Sequence, residues 1–298
     1  MKVGLVLPLF SGSAASVRGV ARRAQSLGFD GVFATDHLFR PGSRSGPSLE
    51  TFATLSSIGV EFQDMAIGSL VARVGLRTPA MLAKMAASID DMTGGRFILG
   101  LGSGDDRDRL EHEVFGVPGG FDSPARYALL TETAGAVRAL FDGEGWRGGE
   151  HTPEIPGPLL PPPSRTGGPP LWIGGTSDEM ARIAGRLADG WNGWGMSVSS
   201  FERSAGLVAE EAASHRRECE STWAGVVVMV EDLAELPEVA AGRRERGLPE
   251  AWMGTPADLI RFSRGLAVAG ATWMILAVPG VEGRIELIAE AALPGMSA

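Results

Sequence analysis

The stretch Asp64–Gly104, DMAIGSLVARVGLRTPAMLAKMAASIDDMTGGRFILGLGSG, decides the fold. DMAIGSLVARV reads as a strand. TPAMLAKMAASIDDMT then has helical period, with Pro79 suited to a first helical turn, and GRFILGLGSG is a second strand running into a Gly- and Asp-rich loop. A strand, a helix and another strand in about forty residues make one βαβ unit, and such units build parallel sheets.

The same rhythm extends in both directions. Upstream, VGLVLP (Val3–Pro8) and GVFATD (Gly31–Asp36) read as strands. Between them lies an amphipathic helix with Val17, Val20, Ala24 and Leu27 on one face, and a further helix is expected around Leu49–Ile58. Downstream, SPARYALLTETAGAVRALF reads as a helix with Ser123 as its cap. PPLWIGG, DGWNGWG, TWAGVVVMV and ATWMILAVPG supply four more strands, each followed by helix-period sequence. The strands are apolar throughout, as in a parallel sheet covered by helices. Eight units in 298 residues give the count of a closed (β/α)8 TIM barrel rather than a doubly wound sheet. Asp142–Pro170 is dense in Gly and Pro. Since the rhythm resumes after it, the expectation is one domain over 1–298 with an irregular insertion at about 143–170.

Composition narrows the function. No window approaches the roughly 18 apolar residues of a membrane helix, and the N-terminal MKVGLVLPLF is too short for a secretory signal, so a cytoplasmic protein is expected. Cys219 is the only cysteine, which rules out an intramolecular disulfide and a cysteine-built zinc site. A formal net charge of -9, with basic residues scattered among acids, opposes nucleic-acid binding. The expected partner is a small molecule.

In a parallel barrel, polar residues at the C-terminal strand ends face the active-site mouth. Asp36 and His37 fall there, although Asp36 could simply cap a turn and His37 pack beneath a loop. In ILGLGSGDD, Gly100, Gly102 and Gly104 let backbone approach a ligand and tolerate a turn. The pattern lacks the full G-x-G-x-x-G and resembles a methyltransferase loop equally well. LWIGGTSDEM ends a strand at Gly174 and Gly175 and opens a helix at Thr176 and Ser177; it reads either as a phosphate site on Gly175–Ser177 or as an ordinary capped helix. Trp191 and Trp194 flank Asn192 and Gly193, as core or as a wall for a flat ring. His112 and His151 read as loop residues and His215 as part of a charged helix, all solvated, and no metal site is expected. No G-x-S-x-G elbow occurs, which argues against that hydrolase type.

Together these stretches resemble the bacterial luciferase-like flavin or deazaflavin oxidoreductases, most of all the coenzyme F420-dependent branch. The similarity runs through VGLVLP, ARRAQSLGFDGVFATDHL, IGSLVARVGLRTPAMLAKMAASIDDMTGGRFILGLGSG, PPLWIGGTSDEMARIAGRLADGWN, GTPADLI and GATWMIL. The resemblance implies a (β/α)8 barrel with a tricyclic cofactor across its C-terminal mouth. It makes His37, after Asp36, the histidine that faces ring and substrate. It puts a non-proline cis peptide at Leu70–Val71 with Ser69 beside it. It assigns Gly102–Gly104, including Ser103, and Gly174–Ser177 to the cofactor's ribityl and phosphate groups, and Asn192 and Trp194 to the next strand end. It also implies a homodimer. Basic residues that hold a substrate phosphate in some members are not evident here. The expected reaction is hydride transfer at the deazaflavin C5. The substrate would stack between strand two and the loop Phe115–Phe121, His37 would pass a proton, and Asp36 would fix its tautomer. The alternatives are a two-component monooxygenase using reduced FMN and dioxygen, and a cofactor-binding barrel without chemistry.

Overall fold

The structure is a computed structural model that describes residues 1–40, 46–105, 109–117, 122–279 and 281–296. The strands are β1 (Lys2–Val6), β2 (Gly31–Ala34), β3 (Ala66–Ser69), β4 (Ala72–Arg73), β5 (Phe97–Gly102), β6 (Leu171–Gly174), β7 (Gly190–Trp194), β8 (Glu220–Met229), β9 (Trp252–Gly254) and β10 (Ala271–Ala277). The helices are α1 (Ala14–Ser26), α2 (Thr51–Glu61), α3 (Pro79–Met92), α4 (Arg109–Phe115), α5 (Ser123–Phe141), α6 (Asp178–Leu187), α7 (Val198–Ser214), α8 (Leu236–Glu245), α9 (Pro256–Val268), α10 (Val281–Ala291) and α11 (Leu293–Met296).

Parallel pairing runs β1, β2, β3, β5, β6, β7, β8, β10, and β10 pairs β1 again, so eight strands close a barrel. The expected third strand is interrupted at Leu70–Val71, and β4 resumes its pairing with β5. β9 pairs the end of β8 outside the ring, an element not foreseen because it is three residues long. No helix among the described residues is long and apolar enough to cross a membrane.

Alternation along each strand sorts side chains into two cores. Outward-facing Val, Leu and Ile pack under the helices. The interior is filled by Phe33, Trp172 and Trp273, whose ring centroids lie 5.4–6.1 Å apart. Glycines on neighbouring strands admit these rings: a Cβ at Gly4 or Gly68 would come within 2.9 Å of Phe33. The barrel is therefore plugged, and its chemistry belongs at an open end.

Most helices start on a side-chain cap, among them Ser13, Thr78, Ser177 and Thr255. For α5 the cap is Asp122 rather than Ser123, because the extended Asp122 carboxylate reaches the Ala125 N–H at 2.9 Å. Ser123 is the first helical residue, and its hydroxyl accepts from Arg126 instead. The 143–170 segment joins α5 to β6, so it lies at the N-terminal ends of the strands. It contains one antiparallel bridge, Trp146–Ile155. It is held by Glu132, which accepts from Glu150 N, His151 N and the Thr152 hydroxyl, and by Arg165, which grips buried Asp90 through two nitrogens at 2.7 and 2.8 Å. His112 belongs to α4 and not to a loop, and His215 caps the end of α7, exposed and bonded to Ser214.

Candidate active site

The C-terminal ends of β2, β3 and β5 converge on one carboxylate-rich junction. Beyond β2, Asp36 is 4% exposed and accepts from Arg73 N at 3.1 Å and from both terminal nitrogens of Arg77, at 2.7 and 3.1 Å. Arg77 also reaches Glu50, the cap of α2, and lies over the Phe52 ring. Burial works against its positive charge, but Asp36 and Glu50 outweigh that and raise its pKa. Asp36 thus ties the end of strand two to the third strand and to the starts of two helices.

The expectation that Asp36 orients His37 is therefore corrected. The imidazole Nδ1 meets Glu111 Oε1 at 3.1 Å, from the first turn of α4. The other carboxylate oxygen accepts from Leu38 N at 3.3 Å and from Arg73 Nη2 at 2.8 Å. Burial pushes the Glu111 carboxyl up, but His37, Arg73 and the Leu38 N–H together hold it below the usual range, so it is an anion at neutral pH. Asp36 and His37, adjacent in the chain, thus serve different partners. Phe10 flanks the imidazole at 5.9 Å, and Phe39 meets Phe115 of α4 at 6.0 Å. Of the expected Phe115–Phe121 loop, Phe115 ends α4 and residues 118–121 lie outside the described residues.

Behind this junction the Leu70–Val71 peptide bond is cis. Ser69 is fully buried, and its hydroxyl donates to Gly100 O and accepts from Gly100 N, so it staples β3 to β5. Leu70 belongs to the inner core; Val71 is partly exposed. A Cβ on Gly174 would meet the Val71 methyls at 2.9 and 3.1 Å, and one on Gly102 would strike the same side chain. Those two glycines make room for Val71. Gly104 has φ +70, a conformation that favours glycine, and Ser103 beside it is partly exposed.

Further round, the Gly175 N–H donates to Asn192 O, so of the expected Gly175–Ser177 amides this one is already engaged. The Ser177 hydroxyl caps α6 through Met180 N and lies 3.3 Å from the Tyr127 hydroxyl. Asn192 is 2% exposed and donates to Thr222, bracing β7 against β8. Trp191 is wholly buried against Phe201. Trp194, two residues beyond Asn192 on the same face of β7, is 38% exposed at the strand end. The glycine loops, His37 and Trp194 thus share one end of the barrel. Cys219 is half-buried, and burial pushes its thiol up to about 12, which makes it inert.

Glu111 was not foreseen. It stands among Asp105, Asp106, Asp108 and Glu113, and no local pattern separates it from neighbours of the same charge. The one available signal was its place in the first turn of a helix following a strand-end glycine loop.

A closed parallel barrel with an imidazole–carboxylate pair, a glycine-rich loop and an exposed indole at its C-terminal mouth is the architecture of a barrel enzyme. The chain belongs to the luciferase-like monooxygenase family, which it matches over residues 1–267; the family comprises oxidoreductases and monooxygenases. An F420-dependent secondary alcohol dehydrogenase, solved with an F420–acetone adduct, has a similar fold with TM-score 0.86 at 18% identity, covering 99% of this chain and 98% of that one. The coenzyme F420-dependent tetrahydromethanopterin reductase of Methanopyrus kandleri gives TM-score 0.79 at 17% identity, with 99% of each chain covered. An EDTA monooxygenase from Chelativorans sp. BNC1 gives 0.81 at 16% identity, covering 100% and 93%.

Proposed function

We propose that this chain is a coenzyme F420-dependent oxidoreductase acting on a small, uncharged organic substrate, with His37 passing the proton. The observation that carries the reading is the imidazole at the barrel mouth, held 3.1 Å from a buried, ionised carboxylate. The mouth fits a flat ring system: Val71 rises from the glycine-lined wall between β3 and β6, and Trp194 presents part of its indole from β7. Val71, Gly102, Ser103, Gly104 and Trp194 would hold the ring and its polyol, and Thr176 and Ser177 would hold an anionic tail. A bound deazaflavin supplies hydride chemistry at its C5 carbon.

The protein's own part is placement and proton control. Rigid strand ends hold the reacting groups together, an effect worth roughly 7–11 kcal/mol of barrier. His37, whose side chain is 29% exposed, would exchange a proton with a substrate oxygen. Arg73 and Arg77 are engaged by Glu111, Asp36 and Glu50, and the rings of Phe10 and Phe39 lie close by, so the site suits an uncharged substrate better than a phosphorylated one. A homodimer in the cytoplasm completes the proposal, and light scattering should give twice the chain mass.

Titration of the purified protein with oxidised F420 and with FMN, followed by fluorescence, tests the cofactor. Tighter binding of F420 is expected. A submicromolar preference for FMN would replace this reading with a reduced-FMN monooxygenase, and binding of neither would leave a barrel without chemistry.

A further inference from the structure

We infer that Glu111 is the positioning residue that fixes which ring nitrogen of His37 carries the proton. The inference rests on the proton-passing role proposed for His37, but the geometry behind it can be tested separately. Glu111 is held on both sides. Its Oε2 receives two donors, the Arg73 guanidinium and the Leu38 N–H, while its Oε1 faces His37 Nδ1. With Glu111 and Arg73 buried, this geometry leaves the carboxylate little freedom to rotate.

A carboxylate has no proton to donate, so the hydrogen of the Nδ1–Oε1 contact must sit on nitrogen. Neutral His37 is thereby the Nδ1–H tautomer, and its basic lone pair is on Nε2, the nitrogen that would act on substrate. The arrangement also couples the two acids at the junction through one residue, since Asp36 binds the Arg73 backbone and Glu111 its side chain.

The donor pattern makes Glu111→Gln an informative change. Arg73 and Leu38 both donate, so they require the amide oxygen on their side. The glutamine NH2 then faces His37 and donates to Nδ1, which moves the imidazole hydrogen to Nε2. The variant should invert the tautomer without emptying the site.

Nitrogen-15 NMR of the histidine-labelled protein reads this directly, because the chain has only four histidines and His37 is assigned by its absence from a His37→Asn spectrum. The wild type should show the Nδ1–H coupling pattern at His37, and Glu111→Gln should show Nε2–H. Turnover of that variant should fall about 10- to 100-fold with cofactor affinity unchanged. A wild-type His37 in the Nε2–H form overturns the inference even if the variant fails to fold. So does a folded Glu111→Gln protein that keeps Nδ1–H. An inverted tautomer with unaltered turnover would uphold the positioning and instead remove His37 from the chemistry.

Discussion

Gly102 and Gly174 leave room for one side chain, since the Cβ that either lacks would enter the space filled by the methyls of Val71. Val71 is β-branched and stiff, so it cannot swing clear of an added methyl at little cost. Gly102→Ala should therefore destabilise the protein by about 1–3 kcal/mol, measured by denaturant unfolding. Val71→Ala should recover part of that loss in the double variant, because the two residues share the clash. Simple additivity of the two changes would show that Gly102 answers to something other than Val71. The glycines were visible in the sequence as positions but not as reasons. A missing Cβ says that something comes close, and one sequence does not show whether that is a ligand or a valine distant in the chain. Asp36 and His37 show the same limit. Their place at a strand end followed from the alternation of strands and helices, whereas their partners, Arg77 and Glu111, depended on packing between elements.

At the scale of elements, the insertion between α5 and β6 hangs on Glu132. Burial pushes this carboxyl up, but the Thr152 hydroxyl and the His151 and Glu150 N–H groups outweigh that and hold its pKa below the usual range. A depressed carboxyl contributes stability that is complete above its unfolded pKa, near 4.3, and is lost as pH falls through the lower folded value. Hydrogen-exchange protection at Glu150 and His151 should thus persist at pH 6 and decline below about pH 4. Glu132→Gln, which keeps one acceptor oxygen, should lower it already at neutral pH. Protection unchanged by both would mean that the insertion is held elsewhere. The sequence showed this segment to be irregular, since its Gly and Pro content permits little else, but not where it attaches, because its anchor lies in a preceding helix. Short β9 escaped notice for a related reason: a strand of three residues carries no periodicity to read.

Over the whole molecule the two ends of the barrel divide stability from chemistry. The aromatic plug of Phe33, Trp172 and Trp273 separates them, with the insertion at the N-terminal ends of the strands and the imidazole–carboxylate pair at the C-terminal ends. Arg165→Ala removes the partner of Asp90, which is 1% exposed, and a buried carboxylate without its partner is costly. Thermal unfolding should shift down by several degrees while kcat/KM stays the same within about twofold. A large loss of kcat/KM would show that the two ends are coupled. Barrel closure was legible from the strand count because each βαβ unit is local. The grouping of His37, Val71 and Trp194 at one mouth followed only from that closure. The most direct test of the whole account is single-turnover hydride transfer between bound F420 and substrate in His37→Ala. The account predicts cofactor affinity within about twofold of wild type and a transfer rate about a hundredfold lower or more. Transfer at the wild-type rate would contradict it.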